Sequence, residues 1–139
     1  MTETTGPAIS FSWPIRVYWE DTDAGGVVYH AGYLRFLERA RSEWLRACGI
    51  DQQRLRDDTG IGFVVRDMHI GFVAPARLDD ELDVHVAVEQ LRAASMKFAQ
   101  SIHRRDGTLL IQASVRVACV DLANMRPCKI PDDLLARIS

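Results

Sequence analysis

The chain is short of several features at once, and each shortage excludes something. Its longest unbroken apolar run is the four residues Val117 to Val120, against the roughly 20 that a membrane-spanning helix requires, so no membrane insertion is expected. Neither sign of charge is in surplus: 17 Lys and Arg stand against 19 Asp and Glu, a formal net charge of -2. No basic run suited to a phosphate backbone occurs, and no nucleic-acid partner is expected. Cysteine is scarce. Cys48, Cys119 and Cys128 are odd in number, never form a C-x-x-C pair and sit among apolar neighbours, which favours reduced packing residues over a redox or zinc role. The first residues carry Glu3, no early Lys or Arg and no apolar stretch before Ile9. That pattern is not a secretory leader, and it predicts a cytoplasmic protein.

What is present suits one packed domain over residues 1–139. The length and the 47% apolar content match the usual allotment of roughly 100 to 200 residues per domain. Residues 1–8, Thr-rich with Gly6 and Pro7, are expected to fray for want of apolar surface. From Ile15 the alternation Ile15, Val17, Trp19 against Arg16, Tyr18, Glu20 predicts a strand with one face buried. Between Ala31 and Cys48 the apolar positions Tyr33, Phe36, Leu37, Ala40, Trp44, Ala47 and Cys48 recur at three and four, widened by Leu34 and Leu45. This predicts one long helix ended by Gly49 in the left-handed conformation. A short helical turn near Asp51 to Arg56 is expected to follow.

The second half reads as sheet. Residues 63–73 place Met68, Ile70 and Phe72 inward, with Pro75 closing the strand. Leu82, Val84, Val86 and Val88 form the next alternation, and Met96, Phe98 and Ile102 the one after it. Asp106-Gly107 predicts a two-residue hairpin connection, with both residues suited to positive φ. The last strand sets Leu109, Ile111, Ala113, Val115, Val117 and Cys119 on one face. Strand, helix and four further strands with short turns give an α+β class with an antiparallel sheet of about five strands wrapped around one long helix.

The most unusual segment is Glu20-Asp21-Thr22-Asp23-Ala24-Gly25-Gly26-Val27-Val28-Tyr29-His30, three carboxylates and two glycines immediately before the long helix. Turn chemistry alone accounts for an Asp before Gly-Gly, since its side chain bonds the following backbone. A metal site from Asp21, Asp23 and His30 matches no ligand-spacing signature. A third possibility is catalytic. A helix start leaves its first N–H groups, here those around Val28 to Ala31, unpaired at the positive end of the dipole. A carbonyl oxygen held there exposes its carbon to a nearby carboxylate, or to water that the carboxylate activates, and acyl transfer needs both parts.

At these residues the chain resembles a family. The string Val17 to His30, with Tyr33-Leu34, Glu38-Arg39-Ala40-Arg41, Ala74 to Asp80 and the Val117 to Asp121 strand, resembles the hotdog-fold acyl-CoA thioesterases. Within them it is similar to the Tol-Pal-associated branch of the 4-hydroxybenzoyl-CoA thioesterase family. The resemblance implies a hotdog fold and hydrolysis of acyl-CoA, or of acyl carried on an acyl carrier protein, to free acid and thiol, with no metal or redox cofactor. It implies Asp23, the second Asp of the D-x-D-x-x-G turn, as nucleophile or general base, and the backbone near Tyr29 and His30 as the group that polarises the carbonyl. His30 is equally compatible with a main-chain role and with a side-chain contact to the acyl group. Gly26, Val27, Tyr33 and Met68 are expected to line the substrate site, and Arg92, Ser95 and Lys97, with Arg104 and Arg105, are candidates for the coenzyme phosphates. Those cations equally suit a solvated hairpin. Another branch uses a helical glutamate, which makes Glu38 the second candidate acid. A homodimer or homotetramer is implied, with Phe63 and Val65 offering apolar surface to a neighbour. The same fold without catalysis, as an acyl-chain or envelope-complex binding module, is the competing expectation.

Overall fold

A computed structural model describes residues 11–139; the lead-in expected at residues 1–8 lies outside the described residues. Elements follow in the order β1 (Phe11–Arg16), α1 (Gly32–Ala47), α2 (Gln52–Thr59), β2 (Ile61–Phe72), β3 (Glu81–Leu91), β4 (Ser95–Arg104), β5 (Leu109–Asp121), the two-residue β6 (Arg126–Pro127) and α3 (Asp132–Ile138). All strand pairs are antiparallel, in the order β1-β3-β4-β5-β2, with β6 added to β5. Among the described residues no helix is long and apolar enough to cross a membrane.

The helix forms where the three-and-four spacing lies, and Gly49 follows it with φ +82°. Its buried stripe of Tyr33, Phe36, Leu37, Ala40, Trp44 and Leu45 faces the inward row of the sheet, Leu82, Val84, Val86, Met96, Phe98 and Ile102. Trp44 meets Phe98 edge-on at 5.4 Å between ring centres, a geometry that adds to the area both rings remove from water. Ala47, expected in the stripe, is exposed at the frayed end. The turn expected at Asp51 is a full helix, capped by the Asp51 carboxylate, which accepts the Arg54 N–H at 3.1 Å.

Three strand expectations need correction. The first strand stops at Arg16, and the chain coils into a single 3-10 turn over Trp19–Asp21, leaving Trp19 82% exposed rather than inward. The turn is held because the Tyr18 N–H donates to Asp21 Oδ2 at 2.8 Å. The β4–β5 connection has only Gly107 at positive φ, with the Gly107 N–H donating to the Arg104 carbonyl at 2.8 Å. It is a longer turn than two residues, and the register slips there, so that Leu110 rather than Leu109 takes the fully buried place. Phe72, expected inside, is half exposed where β2 ends, although its ring lies 5.9 Å from that of Tyr33. The fold also brings two cysteines together: Cys119 Sγ and Cys128 Sγ are 3.6 Å apart as free thiols. Burial pushes the Cys119 thiol up to about 12, so it stays protonated and packs as a small hydrophobe.

Candidate active site

Backbone bonds shape the acidic segment into a closed loop that leads directly into α1. The Asp23 N–H donates to the Val27 carbonyl at 2.9 Å, Gly26 N–H to the Asp23 carbonyl at 3.0 Å, and Tyr29 N–H to the Asp21 carbonyl at 3.0 Å, with Thr22 and Val28 bridged between them. The two glycines serve different ends. Gly26 sits at φ +78°, where a side chain would be strained. Gly25 gives close approach instead: its N–H donates to Asp23 Oδ1 at 2.8 Å, and a Cβ there would stand 3.2 Å from that oxygen. Among the described residues Asp23 Oδ2 accepts no protein hydrogen bond. Asp23 is exposed and lines none of the four main cavities among the described residues.

Of the four amides expected to be free at the helix start, two are taken. Val28 N–H donates to the Ala76 carbonyl at 2.9 Å, and Tyr29 N–H to Asp21 as above. His30 and Ala31 N–H groups have no protein acceptor among the described residues; Ala31 is the residue just before α1 and His30 the one before that. The positive end of the helix dipole therefore opens at His30 and Ala31. The His30 imidazole is exposed and packs against the Tyr29 ring at 4.4 Å between centres. Tyr33 is buried, and its hydroxyl accepts the Ala76 N–H at 2.9 Å. Burial pushes its phenol above the ordinary range, and the Asp80 and Asp23 carboxylates push the same way. Val27 is half-buried and bridged to Arg77, and Met68 is packed half-buried against the core on β2.

The expected coenzyme contacts do not gather at this loop. The start of β3 adjoins it, since the Val17 N–H donates to the Asp80 carbonyl at 2.9 Å. Arg92 and Ser95 close the β3–β4 hairpin at the far end of the same strand, Arg92 N–H donating to the Ser95 carbonyl at 2.8 Å. Eleven residues of β3 at about 3.3 Å each separate that hairpin from the acidic turn, up to roughly 35 Å along the strand. Lys97 lies near it, 3.8 Å from Glu89. Arg104, by contrast, stands beside the loop, bound to Asp80 at 3.2 Å and to the Pro75 carbonyl at 3.0 Å. Arg105 pairs with Glu81 at 2.9 Å.

Glu38 and Arg41 lie further along α1. Glu38 is exposed, while Arg41 is only 7% exposed and donates from Nη1 to Gln100 Oε1 at 2.9 Å. Its burial went unseen in the sequence, because an Arg in a helix reads as surface. The inward position of Gln100, interrupting Met96, Phe98 and Ile102 on β4, was the one available sign that the core holds a polar partner there.

A curled antiparallel sheet packed on one long helix, entered through an acidic glycine loop, is the architecture of the hotdog thioesterases. The family model described as the Thioesterase-like superfamily matches residues 17–138. The chain is 48% identical over 126 residues to an acyl-CoA thioester hydrolase, YbgC, of Escherichia coli O6:H1, covering 91% of this chain and 93% of that protein. It is 47% identical to the acyl-CoA thioesterase YbgC of Haemophilus influenzae, over 91% of this chain and 92% of that one. Among solved structures, a 1,4-dihydroxy-2-naphthoyl-CoA thioesterase from Synechocystis superposes with a TM-score of 0.85 at 25% identity, covering 93% of this chain and 95% of that chain. The chain belongs to the thioesterase-like superfamily.

Proposed function

We propose that this chain hydrolyses acyl-CoA thioesters to free acid and thiol, with Asp23 as the catalytic carboxylate and the His30 and Ala31 amides as the site that receives the carbonyl oxygen. One observation carries the assignment: an acid with one oxygen tethered to Gly25 and the other free stands on the loop that opens onto two unpaired amides at a helix start. The tether fixes the direction of Oδ2, so the side chain pays little ordering entropy when substrate arrives. The amides stabilise the negative charge that grows on the carbonyl oxygen, and they strengthen as water leaves the site. In one route Asp23 takes a proton from the attacking water and returns it to the thiolate as the C–S bond breaks; in the other Asp23 attacks the carbonyl carbon, the thiolate is expelled and takes a proton from solvent, and water then hydrolyses the mixed anhydride to free acid and restores Asp23. Tyr29, His30, Val27, Gly26, Tyr33 and Met68 surround the acyl end of this site in the proposal.

The site is completed by a second copy of the chain. Asp23 lies open in the single chain, and the β2 edge presents Val65, half exposed, with no strand on its outer side among the described residues. Arg92, Ser95 and Lys97, too far from Asp23 within one chain, take part in binding the coenzyme phosphates only across such an interface. The phosphopantetheine arm is common to coenzyme A and acyl carrier protein, so both carriers fall within the proposal, as does a cytoplasmic location.

The decisive experiment is thiol release from a panel of acyl-CoAs by the wild type and by Asp23→Asn. The expected result is turnover by the wild type and loss of about a thousandfold or more in the variant, with the thermal midpoint unmoved. Full turnover by Asp23→Asn would move the role to another acid, Glu38 first, and binding without thiol release by the wild type would leave a non-enzymatic acyl-binding module.

A further inference from the structure

Between α1 and β2 lies a cleft of about 280 Å³, open to solvent at the exposed Glu38, Gln52 and Val65, apolar where Phe63, Met96 and Phe98 form its wall and polar where Glu38, Arg41 and Ser42 do. Arg41 is the unusual member. Its guanidinium is buried, yet it enters none of the ion pairs among the described residues. One nitrogen is satisfied by Gln100, whose own amide donates to the Leu37 carbonyl at 3.1 Å. None of the Arg41 nitrogens is both sealed from solvent and unbonded; the other N–H groups therefore keep accessible surface on a side chain that lines the cavity. Burial lowers the proton affinity of the guanidinium, and the nearby Glu38 charge opposes this. A largely buried cation without a carboxylate partner favours an anion that can reach it.

The cavity lies further along the helix that the acidic loop enters, although no residue of that loop lines it. Tyr33 and Phe72 touch where the α1–β2 seam begins, and Leu45 and Phe63 mark its further end. Side chains on a helix lean toward its N-terminus, and the Gln100 bridge sets the Arg41 guanidinium level with Leu37. From Ala31 to Leu37 the helix climbs about 9 Å at roughly 1.5 Å per residue. An acyl group whose carbonyl oxygen rests on the helix start, and whose chain runs down the seam, brings its far end to Arg41.

We propose that Arg41 selects acyl groups that end in a carboxylate, so that the favoured substrates are mono-CoA thioesters of dicarboxylic acids rather than their plain alkyl counterparts. This inference rests on the thioesterase assignment of Asp23. Glu38, exposed and outside ion-pairing distance of Arg41, tempers the preference without neutralising the cation.

The test compares adipoyl-CoA with hexanoyl-CoA, and separately measures binding of free adipate by calorimetry. A charge-assisted pair predicts kcat/KM at least about tenfold higher for adipoyl-CoA in the wild type. Arg41→Met should remove that preference while leaving hexanoyl-CoA turnover within about threefold, and Arg41→Lys should restore part of it. Equal turnover of the two thioesters by the wild type overturns the proposal, and needs no variant to fold; so does a preference for adipoyl-CoA that survives in Arg41→Met. Adipate bound through Arg41 without cleavage of any thioester would keep the anion site and refute the hydrolase assignment. Cleavage of hexanoyl-CoA with no adipate binding would do the reverse.

Discussion

The acidic loop and the α1–sheet core are built from opposite materials. In the core, Phe36, Leu37, Phe98 and Ile102 are at most 1% exposed and hold their places by area removed from water. In the loop, Asp23, Gly25, Tyr29 and His30 are exposed, and position is fixed by directional bonds: Asp23 to Gly25, Tyr29 to Asp21, Val28 to Ala76. The difference separates stability from chemistry. Apolar area tolerates some rearrangement so long as volume is kept, whereas a carboxylate that must point at one carbonyl depends on bonds with an angle. Substitutions in the two regions should therefore part company in what they change.

The largest effect expected is on rate alone: Asp23→Asn, already described, should abolish turnover yet leave the unfolding midpoint near that of the wild type, and a large drop in that midpoint would show the loop to be part of the stabilising framework after all. Phe98→Ala should do the converse. Removing a fully buried ring that packs on Trp44 is expected to cost about 3–5 kcal/mol in denaturant unfolding, with kcat per folded molecule retained and only KM raised, since the ring also walls the cavity between α1 and β2. Tyr33→Phe probes the border between the regions, because its hydroxyl is the acceptor for the Ala76 N–H. Leaving that amide unpaired is expected to cost about 1–3 kcal/mol and, unlike Phe98→Ala, to lower kcat as well; an unchanged kcat would place the border nearer the loop. The smallest effect is at the cap of α2, where Asp51→Ala should lose about 1 kcal/mol by thermal melting and nothing in turnover.

Legibility in the sequence followed the same division. The helix, its Gly49 stop and the β3 and β4 alternations were readable, because burial on one face imposes a period on residue type. Where the backbone departs from period, the pattern misleads. The alternation runs on through Trp19 although the chain has already coiled at Tyr18 to meet Asp21, and one extra residue at Leu110 shifts which leucine is inside. Two of the four helix-start amides proved to be engaged because their acceptors, on Ala76 and Asp21, are tertiary or loop contacts that no local spacing reveals. The acidic turn itself was conspicuous, but residue types alone favoured turn chemistry over catalysis; the family resemblance reversed that order. Buried Arg41 was signalled only by the inward Gln100, and the fold alone shows which face of α1 that glutamine meets.

Ala76 has a part out of proportion to its size. Its carbonyl grips Val28 on the arm that carries the acid, its N–H grips Tyr33 in the first turn of α1, and its methyl group is wholly enclosed. One residue thus acts as a rivet through both jaws of the mouth. A tug on the segment between β2 and β3 reaches the acid and the helix entrance together, so the spacing between them survives motions that would pull apart two independently anchored pieces.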